Sequence, residues 1–151
     1  MFKFDNILVP TDFSKQFYYA LDYAKGMARS TGSTLHIVHS IETTLMPHDM
    51  VFPPHAKLVD VEQEIQRQTK EKLLKLKESL ESEGFKVKTE VTKGAASSEI
   101  VKYAGENDID AICISTHGTS GLEHFIFGST TEKVLRTAKC PVIAVKMQED
   151  E

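Results

Sequence analysis

Short apolar runs alternate along the chain with longer segments in which apolar residues recur every three or four positions. The short runs are typical of buried strands, and the longer spacing is typical of amphipathic helices. The predicted strands are residues 6–9, 35–41, 86–92, 111–115 and 142–145. The predicted helices are residues 14–30, 58–80 and 99–107, followed by a fourth that begins near Ser129.

This alternation predicts an α/β fold, a single doubly wound sandwich over residues 1–151 with a five-stranded, mostly parallel sheet and four helices. Gly84 stands where a cap would end the second helix. Residues 42–57, which contain three prolines, are expected to form a long loop. In such sheets ligands bind beyond the carboxyl ends of the strands, where the winding direction reverses. If the first and fourth strands are neighbours, residues 10–14 and 116–128 meet at one crevice.

Composition narrows the class of protein. The chain has 151 residues, 40% of them hydrophobic and 26% charged, which is ordinary for a globular domain with a sizeable core. A formal net charge of -4 argues against nonspecific nucleic-acid binding, which needs a basic face. No apolar run approaches the ~20 residues that span a bilayer, so we expect no membrane partner and a cytoplasmic location. Cys113 and Cys140 are expected to be free thiols in a reducing compartment.

The segment between the last two strands carries the clearest candidate chemistry. The fourth strand ends at the sequence STHG, residues 115–118, and Gly128-Ser129-Thr130 opens the fourth helix. Free backbone N–H groups at such a helix start attract anions, phosphate above all. The alternative is that Ser129 and Glu132 form a capping box, which is compatible with phosphate binding because a capped end keeps its partial positive charge.

Several stretches resemble the universal stress protein family. They are ILVPTDFS at residues 7–14, HIVHSIE at 36–42, the glycine after the third strand at Gly94, and STHGTSGLEHFIFGSTTEKVL from residue 115, followed by CPVIAV. The resemblance extends over nearly the whole chain. It implies a single α/β domain with strand order 3-2-1-4-5, usually assembled as a dimer.

A subgroup of that family binds ATP through a signature of Gly, two residues, Gly, nine residues, Gly, and then Ser or Thr. Gly118, Gly128 and Ser129 fit this spacing, but Ser115 stands where the first glycine is expected. A serine adds a Cβ and a hydroxyl group. It costs little if its φ is negative, and it lowers nucleotide affinity if the site needs bare backbone.

The resemblance also implies a set of nucleotide-binding residues. Asp12 would meet the ribose or the base, backbone groups near Ser40 would recognise adenine edges, and His117 would touch phosphate or ribose. The alternatives are that Asp12 or Ser14 caps the first helix, that Ser40 is an ordinary strand end, and that His117 is simply exposed. The full set, in which the first two residues shape the pocket floor, is Pro10, Thr11, Asp12, Ser40, Ser115, Thr116, His117, Gly118, Gly128, Ser129 and Thr130.

The implied cofactor is ATP or AMP, with Mg²⁺ or Mn²⁺ held mainly by phosphate oxygens and water. A protein metal site is not expected, because His36 and His39 face opposite sides of a strand and residues 48–55 offer only a weak His-Asp-His group. The chain has no P-loop, and no lysine lies in the phosphate loop. We therefore expect nucleotide binding with slow or absent hydrolysis.

The two edge strands of the predicted sheet differ in charge. Charged residues protect the third strand against pairing with another strand. Val142–Val145 is apolar and is expected to pair with its own copy across a two-fold axis unless helices or the tail cover it.

The expected function is a nucleotide-binding regulatory module of the stress response with an unknown protein partner. The alternatives are a stress protein that binds no nucleotide and acts through protein contacts, which Ser115 favours, and an enzyme, which the missing catalytic dyad disfavours.

Overall fold

The computed structural model of the protein describes residues 4–42, 58–118 and 127–148. The elements are β1 (Asn6–Pro10), α1 (Lys15–Thr31), β2 (Thr34–Ile41), α2 (Leu58–Ser82), β3 (Lys86–Lys93), α3 (Ala96–Glu106), β4 (Ala111–Ser115), α4 (Ser129–Thr137) and β5 (Val142–Val145). The predicted alternation is therefore confirmed, although α3 begins three residues earlier than its apolar spacing indicated. Apart from Glu42, the predicted proline-containing loop lies outside the described residues.

The strands form a parallel sheet in the order β3-β2-β1-β4-β5, which confirms the predicted topology. β1 lies at the centre, with Ile7 opposite Leu35 of β2 and opposite Ala111 of β4. The winding direction reverses between β1 and β4, because the chain first builds outward through β2 and β3 and then returns to the other side of β1. The carboxyl ends of β1 and β4 are thus neighbours.

Both faces of the sheet are covered, which explains why its central strands are apolar at successive positions. Ile7 and Val9 pack towards α1 and α2, in a cluster with Phe17 and Leu73. Leu8 points to the other face and packs with residues of α3 and α4. All of these side chains are at most 2% exposed, and full burial of each contributes roughly 1.5–3 kcal/mol.

The ends of the helices follow local rules. The Ser14 side chain caps α1 by accepting a hydrogen bond from the Phe17 N–H at 3.1 Å, so of the two predicted caps Ser14 has this role. Gly32 ends α1 at a φ of 73°, and Gly84 follows α2 at a φ of 94°, as the sequence predicted. These left-handed conformations favour glycine because it has no Cβ.

A buried polar network lies between β2 and α3. His36 is 2% exposed, and its Nδ1 lies 2.8 Å from the Tyr103 hydroxyl while its Nε2 lies 3.0 Å from Asn6 Oδ1. Burial, and then the charge of Lys88, lower the pKa of His36 from 6.5 to about 4. The ring is therefore neutral near pH 7 and donates from Nε2–H to Asn6. His39 lies on the other face, as predicted, beside Phe13.

This network predicts a pH-dependent stability. Between pH 6.5 and about 4 the unfolded chain binds a proton at residue 36 and the folded chain does not, so the free energy of unfolding falls as the pH falls through this window. Wild type should lose more of its free energy of unfolding between pH 7 and pH 4.5 than His36→Gln does, by about 2–3 kcal/mol. Urea unfolding of both proteins at the two pH values measures the difference. Equal losses in wild type and variant would contradict the assignment.

Candidate functional site

A cleft of about 580 Å³ opens beyond the carboxyl ends of β1, β2 and β4. Its volume is within the ~300–1,000 Å³ that small-molecule sites usually have. Two helices, α3 and α4, begin at this cleft, so the amino ends of both contribute to its lining. The residues that line it are Pro10, Thr11, Asp12, Val38, His39, Ser40, Ile41, Glu42, Ile65, Ala95, Ala96, Ser97, Ile100, Ile114, Ser115, Gly118, Gly128, Ser129, Thr130, Thr131 and Lys133.

The turn after β1 is held by its own side chains. Thr11 Oγ1 accepts a hydrogen bond from the Phe13 N–H at 2.9 Å, and Asp12 Oδ1 accepts one from the Ser14 N–H at 3.0 Å. His39 Nδ1 lies 2.7 Å from the Thr11 carbonyl oxygen and joins the turn to β2. Phe13 takes a left-handed φ of 59° within this turn. Asp12 therefore stabilises the turn and does not cap α1, and its second carboxylate oxygen faces Gly118.

The start of α4 is fixed to the end of β4 by two hydrogen bonds. The Gly128 N–H donates to the Thr116 carbonyl at 2.7 Å, and Thr131 Oγ1 donates to the Ser115 carbonyl at 2.7 Å. These bonds place the amino end of α4 beside the turn that carries Asp12. The predicted convergence of the two loops is thus confirmed for the described residues.

Ser115 is unstrained at the position where the nucleotide signature expects glycine. It is the last residue of β4, and among the described residues the non-glycine positive φ angles belong to Phe13 and Asp108. Gly128 also has an ordinary φ of −66°, and a Cβ there would lie 3.4 Å from the Thr116 carbonyl oxygen. The substitution at residue 115 therefore adds a Cβ and a hydroxyl group to the cleft wall without backbone strain.

The predicted capping box at Ser129 and Glu132 is wrong. Gly128 is the N-cap residue, and among the described residues no side chain caps α4. Ser129 instead lies inside the first turn, where its hydroxyl cannot reach the N–H groups that an N-cap side chain satisfies. The Glu132 carboxylate accepts a hydrogen bond from Arg136 one turn later. The first N–H groups of α4 thus have no side-chain cap within the described part of the chain.

The opposite wall of the cleft is built by the end of β2, the turn after β3 and the start of α3. Ser40 Oγ donates to the Gly94 carbonyl at 2.8 Å, and Gly94 N–H donates to the Ile41 carbonyl at 3.0 Å. Ala95, the N-cap of α3, has no side chain that can cap the helix. The Glu42 carboxylate supplies the missing acceptor, since its Oε1 accepts from the Ala96 N–H at 2.9 Å. A carboxylate is stabilised at this helix end by the partial positive charge of the helix.

The structure brings most of the predicted site residues together. Nine line the cleft: Pro10, Thr11, Asp12, Ser40, Ser115, Gly118, Gly128, Ser129 and Thr130. Two predicted residues, Thr116 and His117, are not among the lining residues. Thr116 is 5% exposed, because its backbone pairs with both β5 and Gly128, and its hydroxyl lies 3.1 Å from His117 Nδ1.

Sequence reasoning missed the residues that reach the cleft from the helices and from β2. A helical projection from Ser129 would have found Lys133, which lies four positions later and therefore on the same face of α4. The expectation that the phosphate loop lacks a lysine thus overlooked a lysine that the helix brings to the cleft. Ile65 of α2 and Ile100 of α3 gave no sequence signal, because they also follow the apolar periodicity of their helices.

The two cysteines are not among the residues that line the cleft. Cys113 and Cys140 are free, as predicted, and burial raises the pKa of the Cys113 thiol to about 12. Within residues 4–42, 58–118 and 127–148, no three His, Cys, Asp or Glu side chains form a group that could hold a metal ion. The predicted weak His-Asp-His group at 48–55 lies outside the described residues. None of the described helices is both long and apolar enough to cross a bilayer.

A second depression of about 580 Å³ lies against α1, between Phe4 and Met27. Phe4 precedes β1, so this depression is at the amino edge of the sheet. Ligands of doubly wound sheets bind at the carboxyl edge, where the first cleft is. The first cleft is therefore the candidate functional site.

The chain belongs to the universal stress protein family, whose model matches residues 3–146. It is 29% identical to universal stress protein MJ0577 of Methanocaldococcus jannaschii over 154 residues, which cover 95% of each chain. The solved structure of MJ0577 superposes with a TM-score of 0.79 at 28% identity, over 97% of this chain and 99% of that one. Universal stress protein YxiE of Bacillus subtilis is 28% identical over 95% of this chain and 99% of its own length.

A universal stress protein from Archaeoglobus fulgidus, solved in complex with dAMP, shares the fold. Its TM-score is 0.63 at 23% identity, over 95% of this chain and 98% of that chain. At this identity the likeness concerns the fold alone.

The contact between Gly118 and Asp12 predicts a coupled effect on stability. A Cβ on Gly118 would lie 2.4 Å from Asp12 Oδ2, so Gly118→Ala should displace the carboxylate and weaken its bond to Ser14. We expect a loss of about 1 kcal/mol in the free energy of unfolding. In an Asp12→Ala background the same change should cost almost nothing. Urea unfolding of the four proteins measures the coupling, and equal costs in both backgrounds would rule it out.

Proposed function

We propose that the protein is an adenine-nucleotide-binding regulatory module that takes ATP or AMP in the cleft beyond β1 and β4. The observation that carries the proposal is the convergence of two features in a cleft of nucleotide size. They are the Asp12 turn and the amino end of α4, for which the described residues supply no side-chain cap. N–H groups at a helix start bind phosphate oxygens, and a carboxylate accepts hydrogen bonds from ribose hydroxyls.

The proposed nucleotide lies along the cleft with its phosphates on Gly128, Ser129 and Thr130. The ribose lies by Asp12, and Pro10 with Thr11 forms the floor. The base fits against the apolar side chains of Val38, Ile100 and Ile114, and it reads backbone groups near Ser40, whose hydroxyl is already bonded to the wall. Gly118 gives space for the ligand and for Asp12. In this arrangement Thr116 supports the α4 start through its backbone.

A bound Mg²⁺ or Mn²⁺ would be held mainly by phosphate oxygens and water. Support comes from the donor set, since Asp12 is the main carboxylate near the proposed ribose and phosphates and a single carboxylate plus phosphates is an ordinary magnesium environment. The sequence has no P-loop, which supports binding with slow or absent hydrolysis. We place the protein in the cytoplasm.

The proposed assembly is a homodimer through β5, which adjoins β4 and is the edge strand of the sheet that the described residues form. Pro141 and Val145 accept hydrogen bonds from β4, so the backbone of Val142 and Ala144 points outward, because bonding direction alternates along a strand. Val142, Ile143 and Ala144 are half-buried, and an apolar edge with free backbone groups favours pairing with a second copy.

A second candidate function is a stress protein that binds no nucleotide and acts through contacts with a protein partner. The observation that favours it is Ser115, whose Cβ and hydroxyl occupy a wall position at which the nucleotide signature has glycine. The two functions differ in whether the cleft has space for phosphates.

Nucleotide binding predicts a stabilised protein. ATP with Mg²⁺ at 100 times its Kd should raise the free energy of unfolding by about 2.7 kcal/mol, and adenine nucleotide should be released when freshly purified protein is denatured. Asp12→Asn should weaken ATP binding about tenfold, because the amide accepts ribose hydrogen bonds less strongly than a carboxylate. Calorimetric titration and mass spectrometry of the released ligand make these measurements.

The Ser115→Gly variant separates the two candidate functions. If the serine only lines the wall, wild type and variant bind ATP within about threefold of each other, since φ at this position suits any residue. If wild type shows no binding heat and Ser115→Gly does, the cleft of the natural protein is closed to nucleotide and the second function holds. An absence of binding in both proteins would also favour the second function.

The dimer predicts a response to proline at the edge. Ala144→Pro removes an outward N–H without removing a bond to β4, so the variant should fold and sediment as a 16.9 kDa monomer. Ala144→Val keeps the N–H group and should remain dimeric. Sedimentation velocity distinguishes the two species, and circular dichroism checks the fold. A wild-type monomer, or a proline variant that stays dimeric, would contradict β5 pairing.

A further inference from the structure

The cleft carries opposite charges on two of its walls. Glu42 follows β2, and Lys133 lies on α4, which starts at the end of β4. β1 separates these two strand ends, so they are two strand spacings apart, about 10 Å.

The two helix starts at the cleft also differ in how their N–H groups are satisfied. At α3, the Glu42 carboxylate accepts from the Ala96 N–H and neutralises the positive helix end. At α4, the N-cap Gly128 offers no side-chain acceptor, and Lys133 lies one turn above Ser129. A negative charge thus lies at one helix start and a positive charge near the other.

We propose that Glu42 and Lys133 are an opposed pair of specificity-determining residues that orients a polyphosphate ligand in the cleft and favours polyphosphates over uncharged nucleosides. Lys133 attracts the outer phosphates towards α4, and Glu42 repels them from the α3 wall. The α3 wall is thereby kept for the uncharged base. This inference deepens the proposed nucleotide function. It rests on that function only for the claim that the ligand carries a nucleoside as well as phosphates.

The pairing of these charges is a property of the fold. Lys133 and Glu42 are 91 positions apart in the sequence (133 minus 42), and only the β2-β1-β4 strand order brings their walls to one cleft. Asp12 lies between them on the turn after β1, but its Oδ1 is bonded to the Ser14 N–H, and it faces Gly118. It adds negative charge at the middle of the cleft, which strengthens the need for a cation at the phosphate end.

Two charge-removing variants test the proposal in the full-length protein. Lys133→Gln removes the positive charge while keeping a long polar side chain. Glu42→Gln removes the negative charge while its amide oxygen can still accept from Ala96, so the wall should remain folded. Lys139→Gln, at an exposed lysine that does not line the cleft, is the matched control for a change of net charge. Titration calorimetry with ATP, adenosine and inorganic tripolyphosphate gives the affinities.

Lys133→Gln should weaken ATP and tripolyphosphate about tenfold and change adenosine binding by less than about twofold, because a charge-assisted contact is lost only with phosphates. Glu42→Gln should strengthen tripolyphosphate about threefold, as expected for removing one repulsive charge near 10 Å. Lys139→Gln should leave all affinities within about twofold of wild type.

Three results with the variants would overturn the proposal. They are an unchanged ratio of ATP to adenosine affinity in Lys133→Gln, a weaker affinity for tripolyphosphate in Glu42→Gln, and an equal effect of Lys139→Gln. The failure of the proposed function is distinguishable. Wild-type protein that binds tripolyphosphate through Lys133 but neither ATP nor adenosine would refute nucleotide binding and keep the charge pair. Protein that binds none of the three ligands would refute both.

Discussion

The adjacency of β1 and β4 in a parallel sheet is the constraint on which the rest of the structure depends. In parallel pairing all carboxyl ends lie at one edge, and a reversal of winding leaves a crevice there that no crossover helix covers. Hydrogen bonds from Gly128 and Thr131 to the end of β4 then hold the start of α4 at this crevice. The turn that bears Asp12 faces it because β1 is the immediate neighbour.

The polar groups on the two sides of this crevice differ in whether they have hydrogen-bond partners. On the β2 side, Ser40 and Glu42 bond to the backbone of Gly94 and Ala96, so the wall is internally satisfied. On the α4 side, the helix start has no side-chain cap in the described structure. Backbone N–H groups require acceptors, and a phosphate would supply them. This difference between the two sides is the physical reason for the proposed orientation, in which the phosphates lie at the start of α4.

The departure at Ser115 changes the chemistry of the cleft more than its geometry. The residue completes β4 with ordinary backbone, and its carbonyl accepts from Thr131 as part of the α4 anchor. Gly118 is different, since a side chain there would contact the Asp12 carboxylate. Of the two signature positions, residue 118 therefore needs a glycine for space, whereas residue 115 accepts a side chain in this fold.

The sequence by itself determined the order and type of the elements, because apolar runs and helical spacing follow directly from which faces are buried. It also indicated the loops near Asp12 and Gly128, since glycine and turn residues act locally. Only the tertiary structure decided that Gly128, and not Ser129, is the N-cap residue of α4. It also decided that Thr116 bonds through its backbone to Val145 and Gly128, and that Glu42 and Lys133 line the same cleft. Those outcomes depend on contacts between residues distant in the chain, and no local pattern records which strand ends become neighbours.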